Sequence, residues 1–250
     1  MSQPTTSQPQ SIASSAQATG LATGPTADLA KGTKETKDSV SVSNPLSASP
    51  SHHQGLFHAR GVGVIQAIRA DIHRYQLTNE AYPTWSLFLT SQGLWLSLQY
   101  RTSRWVDQRC HWPIVRPFLK VICAILENLI TLITGCELPN KAVIGPGLFI
   151  PHPSGIIIHT QARIGKNCNL SQQVTVGFGG RGDQAGTPTV GNGVYFGAGA
   201  KVFGPIDVGD NVAIGANAVV NRDIPNNAVA VGIPAKVISY KGAQDFVAVD

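Results

Sequence analysis

The chain has 250 residues, of which 42% are hydrophobic and 13% charged, and its formal net charge at neutral pH is +5. This hydrophobic content excludes a chain that is disordered throughout, and the length allows one large domain or two small ones. The basic residues form no cluster of the kind that binds nucleic acid. The four cysteines form no CxxC motif, which favours buried thiols in a reducing, cytoplasmic compartment over a zinc site or a disulfide framework.

The N-terminal tail, residues 1–55, contains no aromatic residue and is rich in Ser, Thr, Gln, Pro and Ala. Such a segment buries too little apolar surface to offset the loss of chain entropy on folding, so we predict that it is disordered. Its first part has neither the basic residues nor the apolar core of a signal peptide. We therefore expect a flexible tail, in preference to a targeting segment.

Residues 56–136 are predicted to form a helical N-terminal domain. Apolar residues follow helical spacing over residues 62–72, 85–105 and 114–134. The third segment has the length of a membrane span, but charged side chains such as that of Lys120 interrupt it. We predict that this helix lies in an interface between subunits, in preference to a membrane surface.

From residue 144 onward, aliphatic or aromatic residues recur every six positions, with one step of eight residues and one of 14. The twelve residues of this series are Ile144, Ile150, Ile156, Ile164, Leu170, Val176, Val190, Phe196, Val202, Val208, Ile214 and Val220. This period is typical of a hexapeptide β-helix, in which these side chains point inward and three hexads form one triangular coil. The series therefore predicts four stacked coils. A β-sandwich, with its period of two, does not fit.

Two features of the repeat region are candidates for function. The longer break, from Gly177 to Thr189, is polar and rich in glycine, and insertions in repeat proteins form loops on one face that often carry function. His152 follows the inward-pointing Ile150 by two positions, on the turn side of a coil. Because an imidazole titrates close to neutral pH, His152 is suited to act as a general base.

Several motifs occur together in residues 60–240. They are the stretch Pro151-His152-Pro153-Ser154-Gly155, the two breaks in the period, the closing Gly232-Ile233-Pro234-Ala235-Lys236, and upstream the stretches Ala70-Asp71-Ile72-His73-Arg74-Tyr75 and Tyr100-Arg101. In these motifs the chain resembles the serine acetyltransferases, a family of left-handed β-helix hexapeptide acyltransferases. The resemblance implies an α+β protein, with a left-handed parallel β-helix over residues 137–238 and a C-terminal tail over residues 239–250.

The resemblance also implies the catalytic residues. His152 occupies the place of the family's general base. Glu137 stands fifteen positions earlier, where the family has an aspartate that orients the base. A carboxylate in contact with an imidazole fixes its tautomer and raises its basicity. We therefore expect His152 and Glu137 to act together.

Acetyl-CoA is the co-substrate that the resemblance implies, and we expect no metal. Backbone N–H groups from Gly177 to Gly180 are expected to stabilise the oxyanion formed during acetyl transfer. The residues expected to bind acetyl-CoA are Gly179, Ala198, Ala216 and Lys236. The first three are small, so the narrow pantetheine arm can lie against the backbone, and Lys236 is expected near the phosphates. In the family this groove lies between subunits, so the resemblance implies a homotrimer or a dimer of trimers.

The acceptor pocket departs from the family at three positions. Where the family has an aspartate, an arginine and a histidine, this sequence has Pro151, Gly186 and Thr187. A zwitterion bound by these neutral residues would lose charge-assisted hydrogen bonds that contribute about 1.5–3 kcal/mol each. L-Serine, the acceptor used in cysteine biosynthesis, and a neutral sugar or polysaccharide hydroxyl therefore remain competing acceptors. A β-helix scaffold without catalytic activity is a third alternative.

Overall fold

The structure is a computed structural model that describes residues 62–78 and 83–248. The tail predicted to be disordered, residues 1–55, lies outside the described residues. Within the described ranges, helices occupy the N-terminal part and short strands the C-terminal part. The prediction of a helical region followed by parallel strands is confirmed.

The helical region contains α1 (Val64–Thr78), α2 (Thr84–Thr90), α3 (Gln92–Gln108) and α4 (Val115–Thr134). The segment 85–105, predicted from one continuous spacing, is divided at Ser91, whose φ of −100° and ψ of 89° lie outside the helical region. The helix α4 ends at Gly135, which adopts a left-handed φ of 65° and donates its N–H to the carbonyl oxygen of Thr131. Glycine adopts this conformation without the steric cost that a side chain would add.

The strands are short. They are β1 (Val143–Ile144), β2 (Ile157–Ile158), β3 (Arg163–Ile164), β4 (Asn169–Leu170), β5 (Thr175–Gly177), β6 (Thr189–Val190), β7 (Tyr195–Phe196), β8 (Lys201–Phe203), β9 (Asp207–Val208), β10 (Ala213–Ile214), β11 (Val219–Val220), β12 (Val229–Val231) and β13 (Lys236–Ser239). A single 3-10 turn, Gly182–Gln184, lies in the long loop between β5 and β6.

Three sheets share these strands. Sheet A consists of β2, β5, β8 and β11, sheet B of β1, β3, β6 and β9, and sheet C of β4, β7, β10 and β12, with β13 added antiparallel at its edge. From β2 to β10 the chain visits the sheets in the constant order A, B, C. Thr175 pairs with Ile157, 18 positions earlier, and across the long loop Thr189 pairs with Arg163, 26 positions earlier. The long loop is therefore an insertion that leaves the parallel pairing intact.

The core lies between the three sheets. All twelve residues of the six-residue series are buried there, each no more than 4% exposed. Their predicted inward orientation is confirmed. Leu96 and Tyr100 of α3 belong to the same apolar cluster, so the helices and the first strands share one core.

Polar side chains of α1 and α3 bind the backbone of residues 142–150, at the start of the sheets. Asp71 accepts hydrogen bonds from the N–H groups of Gly147 and Leu148, at 2.8 and 2.9 Å. Arg101 pairs with Asp71 at 2.8 Å and donates to the carbonyl oxygens of Ile144 and Gly145, both at 2.7 Å. These contacts supply partners for backbone groups that no neighbouring strand would otherwise satisfy.

The segment predicted as a C-terminal tail, residues 239–250, is packed as far as Val247 within its described part. Ala243 and Val247 are buried against Ala213 of sheet C. Phe246 stacks on Tyr195, with ring centroids 4.7 Å apart. Spacings of three and four residues place these apolar side chains on one side of a single turn, which explains why a short polar segment packs here.

The helix α4 presents a long apolar face to solvent. By length and composition alone it could cross a membrane. Six of its exposed residues alternate between spacings of three and four positions: Val115, Phe118, Ile122, Ile125, Leu129 and Leu132. This spacing is that of a helix that packs along another helix.

Candidate active site

The strands of sheet A separate two rows of turns, one at each end of the strands. We call these rows the leading edge and the trailing edge. The leading edge is formed by the turns that precede these strands, residues 151–155, 171–174, 197–200 and 215–218. The trailing edge is formed by the turns that follow them, residues 159–162, 178–188 and 204–206. Because all four strands are parallel, the two edges lie at opposite ends of the sheet.

The leading edge carries His152 and two of the residues predicted to bind acetyl-CoA. Its turns are stacked through backbone hydrogen bonds of 2.7–2.9 Å that link residues 154 and 173, 172 and 199, and 198 and 217. His152 is exposed at the first of these turns, and Ala198 and Ala216 lie on the third and fourth. Successive turns are about 4.8 Å apart, as in any sheet. The structure therefore aligns the predicted base with Ala198 and Ala216 along one edge.

The trailing edge contains the long loop, and three of the predicted site residues lie in this loop: Gly179, Gly186 and Thr187. Gly179 and Gly186 exchange two backbone hydrogen bonds of 2.9 and 2.8 Å. The Oγ1 atom of Thr187 donates a hydrogen bond to the carbonyl oxygen of Gln161, at 3.2 Å. The N–H of Gly179 thus has a partner inside the loop. Stabilisation of an oxyanion by N–H groups from Gly177 to Gly180 stays a prediction.

Glu137 lies on sheet A, between the two edges. Its N–H donates to the carbonyl oxygen of Ile156 at 2.7 Å, and its own carbonyl oxygen accepts from the N–H of Ile158 at 3.0 Å. This pairing extends the sheet by one bridge and leaves the carboxylate on the exposed side. Within the described part of this single chain, no hydrogen bond or ion pair joins Glu137 to His152, so their pairing stays a prediction.

Pro151 and Lys236 are also exposed. Pro151 lies beside His152 on the leading edge, far along the chain from Gly186 and Thr187, which lie on the trailing edge. Lys236 lies on β13, at the edge of sheet C, in register with Val231. One chain thus divides the predicted acceptor residues between two edges and places Lys236 on another sheet.

A cavity of about 510 Å³ lies between α4 and the exposed face of sheet A. Its polar lining comes from Glu127, Asn128, Thr131, Glu137, His159 and Thr160. Burial raises the pKa of the Glu127 carboxyl, and the charge of Glu137 raises it further. Sequence reasoning missed Glu127 and His159 as site residues. The eight-residue step after Ile156, in which His159 lies, is the one signal that points to the second of them.

His159 joins the cavity to the long loop. Its Nδ1 atom accepts a hydrogen bond from the N–H of Gln161, at 3.2 Å. Its ring contacts that of Phe178, with centroids 5.8 Å apart. Among the described residues, no group of three His, Cys, Asp or Glu side chains is arranged to hold a metal ion.

No protein-family model matches the chain. Curated relatives do match. The chain is 44% identical over 136 residues to a serine acetyltransferase of Synechococcus elongatus, and the matched region covers 54% of each protein. It is 41% identical over 155 residues to a serine acetyltransferase of Helicobacter pylori, and the matched region covers 62% of this chain and 86% of that protein. The chain thus matches about half the length of the first relative and most of the second.

Solved structures are similar as well. The crystal structure of a serine acetyltransferase from Brucella abortus in complex with coenzyme A has a TM-score of 0.60 and 27% identity, over 71% of this chain and 68% of that one. A serine acetyltransferase from Neisseria gonorrhoeae in complex with serine has a TM-score of 0.56 and 27% identity, over 70% and 69%. Both similarities extend over more than two thirds of each chain.

Proposed function

We propose, from the premise that this chain belongs to the serine acetyltransferase family, that it transfers the acetyl group of acetyl-CoA to the hydroxyl group of L-serine. The observation that carries the proposal is the 41% identity over 86% of the Helicobacter pylori relative. The Brucella abortus and Neisseria gonorrhoeae structures, which contain coenzyme A and serine, support the same pair of substrates. The product is O-acetylserine, an intermediate on the way to cysteine.

In the proposed reaction, His152 is the general base. It removes the proton of the serine hydroxyl, the oxygen bonds to the acetyl carbonyl carbon, and the carbon–sulfur bond breaks. The proton on the imidazole then passes to the leaving thiolate. The exposure of His152 and its alignment with Ala198 and Ala216 along the leading edge support this role, since a thioester lying on that edge would reach the imidazole. Glu137 is the proposed orienting carboxylate.

The fold proposed for the strand region is a left-handed parallel β-helix. Pairs 18 residues apart, the order A, B, C of the sheets and the buried six-residue series all support three hexads per coil. The left-handed sense of the helix is supported by the membership of the chain in the serine acetyltransferase family. In this arrangement His152, Ala198 and Ala216 lie on one corner of the stacked triangular coils.

We propose that the active site is completed by a second copy of the chain, in a homotrimer or a dimer of trimers. His152 and Pro151 lie on the leading edge, whereas Gly179, Gly186 and Thr187 lie on the trailing edge. One chain does not bring these groups together, but a ring in which the leading edge of one copy meets the trailing edge of the next would do so. The exposed face of α4 supports a further subunit contact.

The proposed compartment is the cytoplasm. All four cysteines, at positions 110, 123, 136 and 168, are free thiols. Free thiols without disulfides are typical of reducing compartments.

The experiment that tests the proposal measures thiol release from acetyl-CoA by the purified full chain, with L-serine and with a panel of neutral sugars. We expect serine-dependent release that His152→Ala reduces by about 10²–10⁴-fold. Release that depends on a sugar and not on serine would overturn the choice of acceptor, and no release with any acceptor would overturn the enzymatic function. Light scattering of the same sample gives the number of subunits.

A further inference from the structure

His159 lies where the cavity under α4 meets the trailing edge. Its ring lines the cavity and touches Phe178 of the long loop. The hydroxyl of Thr187 in the same loop donates a hydrogen bond to the carbonyl oxygen of Gln161, and the N–H of Gln161 donates one to His159. The imidazole therefore lies beside the position at which the family has a loop histidine and this chain has a threonine.

The hydrogen bonds of the ring determine which nitrogen carries the proton. Nδ1 accepts from the N–H of Gln161. Because a backbone amide can only donate, Nδ1 is unprotonated, and the neutral ring carries its proton on Nε2. Within the described residues the structure gives Nε2 no partner. A donor is thus available to a molecule in the cavity.

Another part of the cavity lining is anionic. Glu127 projects from α4, and Glu137 from the exposed side of sheet A. Burial raises the pKa of the Glu127 carboxyl and the charge of Glu137 raises it further, and a cation bound beside Glu127 would offset that charge. The cavity thus combines a hydrogen-bond donor for an anion with carboxylates for a cation. An α-amino acid carries both kinds of group.

We propose that His159 is a specificity-determining residue of the acceptor site, and that its Nε2–H donates a hydrogen bond to the carboxylate of the amino-acid acceptor. The inference rests on the proposed function and explains how a pocket with neutral residues at 151, 186 and 187 accepts a zwitterion. The imidazole comes from the turn after β2 and not from the long loop. The carboxylate of Glu127 faces the ammonium group, and that of Glu137 keeps its proposed role of orienting His152.

The test compares two acceptors in the purified full chain. L-Serine carries a carboxylate, whereas ethanolamine keeps the hydroxyl and ammonium groups and lacks it. In His159→Asn the shorter side chain can still accept from Gln161, but it has no donor at the position of Nε2. We expect kcat/KM for serine to fall about tenfold to hundredfold, chiefly through KM, because one hydrogen bond to a charged group is lost. The value for ethanolamine should not change.

Two further variants separate recognition from folding. His111→Asn changes an exposed histidine outside the cavity and should leave the kinetics with both acceptors unchanged. Adding Thr187→His to His159→Asn places an imidazole on the neighbouring loop. This double variant should recover part of the lost kcat/KM for serine and leave ethanolamine unaffected.

An equal loss with both acceptors would overturn the inference, because a structural role does not distinguish them, and so would unchanged kinetics with serine. Failure of the proposed function has a different signature, namely no thiol release by the unmodified chain with serine. In that case calorimetry measures the affinity for serine and for ethanolamine, and it compares the two acceptors without requiring turnover. Tighter binding of serine than ethanolamine, lost in His159→Asn, would support the inference, and no binding of serine would overturn it.

Discussion

The buried pair of Asp71 and Arg101 offers a direct test of how the helices are joined to the strands. Asp71 is fully buried and its carboxylate accepts five hydrogen bonds, from Ser97, two nitrogens of Arg101 and the N–H groups of Gly147 and Leu148. Every partner is a donor. In Asp71→Asn, either orientation of the amide turns its NH₂ group toward donors.

The expected cost follows from this geometry. The NH₂ group replaces an oxygen that accepts at least two hydrogen bonds, and the guanidinium of Arg101, only 5% exposed, loses its counter-charge. Breaking such a buried pair costs about 3–5 kcal/mol of folding free energy. For a chain of this size that corresponds to a fall in Tm of roughly 6–20 °C.

The assay is urea or thermal unfolding followed by circular dichroism, with a matched substitution as the control. Asp107 forms an ion pair with Lys120 at a similar distance, 2.8 Å, but both side chains are about a third or more exposed. Asp107→Asn should therefore cost less than about 1 kcal/mol. Equal effects of the two substitutions would refute the reasoning, since burial is the property in which the two ion pairs differ most.

Three more predictions follow from the site and the tail. His152→Ala should reduce turnover by about 10²–10⁴-fold with little change in Tm, because the residue is exposed; steady-state kinetics with near-normal turnover would contradict its role. A chain that starts at Leu56 should keep full activity in the same assay, because residues 1–55 contain no aromatic side chain to add to a core. Burial raises the pKa of the Cys168 thiol to about 12, so at pH 8 it should stay protonated and resist iodoacetamide, whereas the half-buried Cys123 reacts. Mass spectrometry of the native protein checks this, and early modification of Cys168 would show that the core opens.

The family resemblance inferred from the motifs is confirmed by the comparisons with curated and solved serine acetyltransferases. The place of His152 on an exposed turn was also predictable, because two positions beyond an inward-pointing residue the chain leaves the strand. The division of the helical segment at Ser91 was not. The helical spacing of apolar residues continues across a short interruption of the helix. Periodicity alone therefore does not reveal such an interruption.

The inward side of every strand in the six-residue series follows from the amino-acid sequence alone. Side chains alternate along a strand, and glycine and asparagine mark the corners, so this information is local. Which residues meet across the molecule depends instead on how the helices and sheets pack. Glu127 reaches the cavity because α4 packs over sheet A, and His159 lies beside Thr187 because a loop inserted 18 residues later folds back on its turn. Such contacts join residues whose separation along the chain follows no local period, and they form only when the helices and sheets are packed together.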